Sequence, residues 1–181
     1  MSKVQTESSH LGAKIRLRLN NLPENKDTLR VLDVFSANGK IWNEIKRLSS
    51  RDIKVLRMDI RADLEGIYLL GDNMKFLETM DLSAYDIIDV DAYGIPFEQL
   101  RVILPKAKGK KIFVTFIQSL LGTCPYDLLN FVGIPHGMIQ KCPTLFGKKA
   151  WGIFKQYLAQ NGVVTINHYA FGRKHYLAFT A

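Results

Sequence analysis

The sequence predicts an α/β domain: a mostly parallel sheet, doubly wound by helices, that ends in an antiparallel β-hairpin. Two observations predict it. From Leu29 to Gln160 short apolar runs alternate with helix-like segments, the pattern of strands joined by crossover helices. The end of the chain breaks that rhythm. Val163 to Tyr169 and His175 to Thr180 are both strand-like. The Phe171-Gly172-Arg173-Lys174 connection between them is too short for a parallel crossover. The 181 residues suit one well-filled domain spanning 1–181, with 1–28 as an N-terminal extension or lid and 29–181 as the core.

The first strand, Leu29 to Phe35, closes on Ser36-Ala37-Asn38-Gly39 and feeds a helix from Lys40 to Leu48 whose Ile41, Ile45 and Leu48 share a face. Ile53 to Met58 is a second strand, stopping at Asp59, and Gly66 to Leu70 a short third one before Gly71-Asp72. A helix from Asn73 to Met80 leads to a fourth strand, Tyr85 to Val90. Pro96 opens the next helix, which carries Phe97, Leu100, Ile103 and Leu104. Lys111 to Ile117 is the fifth strand. Prolines at 125, 135 and 143 predict irregular and short helical structure from Leu120 to Leu145, followed by a helix from Gly147 to Gln160 that stops at Asn161-Gly162.

Composition excludes several classes. A hydrophobic fraction of 47 % is that of a folded chain. Charges interrupt every apolar stretch, so a membrane span is not expected. Met1 to His10 is polar and lacks the apolar core of a signal peptide, which predicts a cytoplasmic protein. Cys124 and Cys142 are neither paired as a redox motif nor joined by histidines into a metal site, so no metal is expected. A net charge of +8 favours phosphate-rich partners without identifying one.

The chemistry gathers at strand ends. A strand ending in an acid, a small-residue loop and a helix start can wrap a cofactor at the carboxyl edge of a sheet. Leu32-Asp33-Val34-Phe35-Ser36-Ala37-Asn38-Gly39 is such a segment. An ordinary turn capped by Asn38 is the plain alternative. Asp59 ends the next strand, where a carboxylate can take both hydroxyls of a ribose; it can also close the turn holding Arg61 and Asp63. Gly71-Asp72-Asn73 follows the third strand, and Asp72 is also suited to cap the helix that starts there. The first of these segments resembles the opening motif of class I, Rossmann-like S-adenosylmethionine-dependent methyltransferases. Ala37 stands where that motif has its first glycine, which predicts a loop that turns differently or less tightly. The resemblance implies S-adenosylmethionine as cofactor. It would lie against Asp33, Phe35, Ser36 and Gly39 at its methionine end, Asp59 and Ile60 at the ribose, and Asp72 and Asn73 at the adenine.

The fourth strand runs into Asp89-Val90-Asp91-Ala92-Tyr93-Gly94. Asp89 and Asp91 fall on one face of an extended chain. A metal pair or an acid–base pair are alternatives with little support from neighbouring residues. Asp91-Ala92-Tyr93-Gly94 resembles the fourth motif of amino-group methyltransferases, and the run to Pro96 is similar to that of the tRNA guanine-N2 methyltransferases, with Ala92 in place of a proline. The resemblance implies transfer to an amino nitrogen of a nucleic-acid base, with Asp91 accepting from the amine, Tyr93 stacking on the base and Asp89 in support. Two other readings stay open: a methyltransferase fold that only binds, and a nicotinamide-dependent oxidoreductase.

Overall fold

A computed structural model describes residues 10–118 and 124–181. The expectations for Met1 to Ser9 and for Leu120 to Thr123 lie outside the described residues. The strands are β1 (Thr28–Asp33), β2 (Asp52–Asp59), β3 (Leu69–Leu70), β4 (Ile87–Val90), β5 (Lys111–Ile117), β6 (Ile166–Phe171) and β7 (Lys174–Thr180). They form one sheet in the order β3-β2-β1-β4-β5-β7-β6. β1 to β5 pair in parallel, and β7 inserts antiparallel between β5 and β6. The predicted mostly parallel sheet with a terminal hairpin is therefore the observed architecture. The hairpin turn is tighter than the sequence suggests, with only Gly172 and Arg173 between the strands. Gly172 takes φ +61°, the conformation that such a two-residue turn asks of its first central residue.

Eight helices are described: α1 (Leu11–Leu19), α2 (Lys40–Leu48), α3 (Asn73–Thr79), α4 (Phe97–Lys106), α5 (Tyr126–Phe131), α6 (His136–Lys141), α7 (Pro143–Lys148) and α8 (Ala150–Gln160). The helix expected from Gly147 begins at Ala150, because the chain turns between α7 and α8 at Lys149. In α2 the buried residues are Trp42 and Ile45, while Leu48 is 50 % exposed, so the apolar face is rotated from the predicted one. Trp42 is bulkier, and its indole has a polar partner waiting in the sheet.

Two apolar layers clamp the sheet. One gathers Leu32, Ile88, Val90, Phe97, Leu100, Val114, Phe154 and Tyr157 under α3, α4 and α8. The other gathers Ile15, Leu17, Val31, Trp42, Ile45, Ile87 and Phe113 under α1 and α2. Alternation along β1 and β4 sorts neighbours into opposite layers. It places Asp33, Asp89 and Asp91 on the α1–α2 side. No helix among the described residues is long and apolar enough to cross a membrane.

Candidate functional site

β1 and β4 end beside each other, and the chain leaves β1 through the loop Val34–Gly39. Ala37 sits in the left-handed region at φ +45°, as Gly39 does at φ +68°. The expectation that alanine would force a different turn is corrected here: the loop keeps the left-handed geometry with alanine in it. Strain of about 1–2 kcal/mol for a non-glycine residue is held by three hydrogen bonds. The Asp59 carboxylate accepts from the Ala37 N–H at 2.9 Å, Arg57 Nη2 donates to the Ala37 carbonyl at 2.6 Å, and the Ser36 N–H donates to the Met58 carbonyl at 2.9 Å. A Cβ at Gly39 would stand 3.1 Å from Arg57 Nε, so a side chain there would push the guanidinium aside besides straining the φ of +68°. Gly39 caps α2 without a side-chain bond, so Asn38 is not the cap.

A cavity of about 170 Å³ opens at this edge, lined by Asp33, Phe35 and Ser36 from the first loop and by Asp91 and Tyr93 from the end of β4. α1 and β7 complete it with Lys14, Lys174 and Tyr176. Five of the residues predicted from sequence thus share one cavity. Gly39, Asp59, Ile60, Asp72, Asn73 and Asp89 do not line it. Asp59 also accepts from the backbone and Nε of Arg61 at 3.0 and 3.2 Å, which is the turn-closing role. Asp72 accepts from the Met74 N–H at 2.9 Å as the N-cap of α3, with Asn73 as the first residue of that helix. Ile60 is 73 % exposed next to Asp59.

Asp89 is 1 % exposed. Arg18 grips it through Nε and Nη2 at 2.6 Å each, and Trp42 Nε1 donates at 2.7 Å. The partners of this supporting carboxylate are thus side chains and not backbone N–H groups. Burial favours losing the Arg18 proton, but Asp89 outweighs it and holds the guanidinium more firmly charged than an ordinary arginine. One turn earlier on α1, Lys14 Nζ meets both oxygens of Asp91 at 2.7 and 2.8 Å. The spacings match: four helical residues rise about 6 Å and two strand residues about 6.6 Å. Thr115 Oγ1 donates to Asp91 Oδ1 as well.

The cavity's two carboxylates are pushed apart. For Asp91 burial acts to raise the pKa, but the charges of Lys14 and Arg18 and the bonds from Lys14 and Thr115 win, and the group is held below the usual range. For Asp33, burial is joined by repulsion from Asp89 and Asp91, and its pKa is raised well above normal against the weaker pull of Arg18 and Arg57. Asp33 is 4 % exposed, and its carboxylate has no hydrogen-bond partner among the described residues. Three carboxylates here meet two contacting cations, Arg18 and Lys14. Of the three, Asp33 is the one with no ion pair among the described residues, although Lys40 and Lys174 also line the cavity.

Sequence reasoning missed Lys14, Arg18, Arg57 and Thr115. A usable signal existed for the first two, the four-residue spacing of Lys14 and Arg18 against the two-residue spacing of Asp89 and Asp91. Arg57 and Thr115 left none, since each reads as an ordinary strand residue.

No protein-family model matches the sequence, and no curated protein matches it. Solved structures do. A protein from Bordetella parapertussis superposes with a TM-score of 0.61 at 12 % identity, covering 95 % of this chain and 67 % of that one. A candidate methylase from Haemophilus influenzae gives 0.56 at 12 % identity, covering 94 % and 98 %. A methyltransferase from Podospora anserina, solved with S-adenosylhomocysteine bound, gives 0.52 at 12 % identity, covering 100 % and 80 %. At such identity the shared property is the fold, and the chain has the fold of the class I S-adenosylmethionine-dependent methyltransferases.

Proposed function

We propose that the chain is an S-adenosylmethionine-dependent methyltransferase acting on an amino nitrogen of a nucleic-acid base. The observation that carries the reading is the cavity with two unlike carboxylates, one without an ion pair among the described residues, the other ionised. S-adenosylmethionine, which carries an ammonium and a sulfonium, would give the Asp33 carboxyl the ion-pair partner it lacks. When bound, it supplies an electrophilic methyl group. Asp59 lies outside the cavity lining but accepts from the Ala37 N–H of its loop, and a ribose of the cofactor reaching past that loop, beside the exposed Ile60, would replace the Arg61 guanidinium on it.

The acceptor end rests on Asp91 and Tyr93. Asp91 Oδ1 is used by Lys14 and Thr115, while Oδ2 takes only Lys14 and keeps one acceptor position. An exocyclic amine donating one N–H there has its lone pair turned away from the carboxylate, and Oδ2 can take the proton released once nitrogen is methylated. Tyr93, 78 % exposed at the mouth, offers a ring for the base to stack on. Most of the rate gain would come from alignment. The positive net charge favours a polyanionic substrate.

A purely binding role is the second reading. It is favoured by the Lys14 ammonium standing on both oxygens of Asp91, where an acceptor amine would donate. Incubation with a labelled methyl donor and pooled RNA, DNA and protein separates the two. Label in nucleic acid, lost in Asp91→Asn with donor affinity kept, is expected. Label only in protein would refute the base assignment, and none at all would favour the binding role.

A further inference from the structure

Two basic dipeptides that lie apart in the sequence meet beside the cavity. Ile117 of β5 pairs with Lys174 of β7, and both line the cavity wall. One residue on, the Gln118 N–H donates to the Arg173 carbonyl at 3.0 Å, and its Nε2 donates to the Gly147 carbonyl at 2.6 Å. Gln118 thereby fastens the hairpin turn to the end of α7 and sets Lys148-Lys149 next to Arg173-Lys174. Lys148, Lys149 and Arg173 are exposed, and no acidic group pairs with them among the described residues. Lys40 lines the cavity from the α2 side, and Tyr93 stands exposed at the same mouth.

A lone exposed lysine is a solvated surface group. Here, cations from two separate elements are locked together at the rim of a cavity whose mouth carries an exposed aromatic ring. Cations that follow a phosphate chain, with a ring on which a base can stack, are what an unpaired strand needs. A base inside a duplex cannot enter a cavity at a sheet edge without leaving its stack.

We infer that Lys148, Lys149 and Arg173 form a track for the phosphates of an unpaired nucleic-acid strand, which delivers one base to Tyr93. The inference rests on the acceptor reading above and names the surface and form of that substrate. The test uses the full chain without methyl donor, and fluorescence anisotropy with labelled strands of about 15 nucleotides, the span of one small groove. Single strands of RNA and DNA and a blunt duplex are compared. The expected result is salt-dependent binding of single strand in preference to duplex. Lys148→Glu with Arg173→Glu should weaken it at least about tenfold and reduce the slope of log affinity against log salt by about 1.4, some 0.7 for each phosphate no longer neutralised. Tyr93→Ala should weaken it about fivefold or more. Lys46→Glu with Lys108→Glu lowers the net charge equally at exposed sites away from the cavity, and should leave binding within about twofold. An equal weakening in that control, preference for duplex, or no binding of either single strand would overturn the inference. With no donor present, its failure leaves the cofactor reading standing, and a failure to bind donor does not touch it.

Discussion

Replacing Asp33 with asparagine tests the site at its most exposed assumption, because the change should weaken the cofactor while stabilising the free protein. Asp33 lies in the cavity wall, 4 % exposed, with two carboxylates near it and no hydrogen-bond partner for its own carboxylate among the described residues. A charge-assisted hydrogen bond to the donor's ammonium contributes about 1.5–3 kcal/mol, so its loss should raise the dissociation constant by about 10- to 150-fold. S-adenosylhomocysteine keeps that ammonium and should lose affinity alongside S-adenosylmethionine. The stability effect has the opposite sign. A carboxyl whose native pKa is raised binds its proton more tightly folded than unfolded. Stability therefore falls as pH rises from the ordinary aspartate value of 3.8 through the raised native one, and the loss is complete above it. Asparagine cannot ionise, so the variant should melt higher than wild type at pH 7.5, and the gap should close as pH falls toward 4. Titration calorimetry with both ligands and melting curves across pH check the two halves. Wild-type affinity, or a variant less stable at neutral pH, would refute the unpaired Asp33 carboxyl as the cofactor's anchor.

Arg18→Met leaves Asp89 buried with only Trp42 as partner, and should cost about 3–5 kcal/mol. At about 2–4 °C per kcal/mol for a chain of this size, a melting temperature within a degree or two of wild type would show that the pair is not buried as described. Asp59→Ala should weaken S-adenosylmethionine binding by about 1.5–3 kcal/mol, measured by calorimetry. Unchanged affinity in a folded variant would remove Asp59 from the ribose role. His175, stacked on Trp151 and bonded to His168 at 2.9 Å, has its pKa lowered to about 4 by burial, His168 and Lys155. The unfolded chain takes up a proton near 6.5 and the folded one only near 4, so stability drops as pH falls between those values. His175→Phe should flatten that drop in pH-dependent denaturation, and an unchanged profile would count against a buried, neutral His175.

The parts of the fold that repeat a simple physical rule are legible in the sequence. The apolar run at β5 has the bounds of the observed strand, and the closing hairpin follows from a connection too short for a crossover. β3 reads as five residues and has two, because Gly66 takes φ +83° and the chain turns before Leu69. The cavity residues on β1 and β4 are legible because strand ends at one sheet edge must converge. Other roles depend on the state of a side chain that no spacing reveals. Asp59 is engaged by Ala37 and Arg61, Asp72 caps its helix, and Asp89 is enclosed by Arg18 and Trp42. A carboxylate at a strand end is equally at home in each of these jobs, and only its neighbours decide.

The N-terminal helix shows why such neighbours matter. α1 crosses the carboxyl ends of β1 and β4 on the side where Asp33, Asp89 and Asp91 point, and the two of its cations that pair with these carboxylates, Lys14 and Arg18, differ in what surrounds them. The Arg18–Asp89 pair is 1 % exposed on both sides and closed by Trp42, so opening it uncovers a buried charge. The Lys14–Asp91 pair is 15 % and 14 % exposed and faces the cavity, where water or a ligand can replace either partner at lower cost. The two rungs therefore divide the work by burial. The inner one fixes where the helix sits. The outer one keeps Asp91 ionised, its Oδ2 open to a donor and Lys14 free to move by a side-chain rotation with α1 still anchored. A segment that the sequence offers as an N-terminal extension or lid thus supplies part of the cavity wall, and the acceptor carboxylate takes its charge state from it.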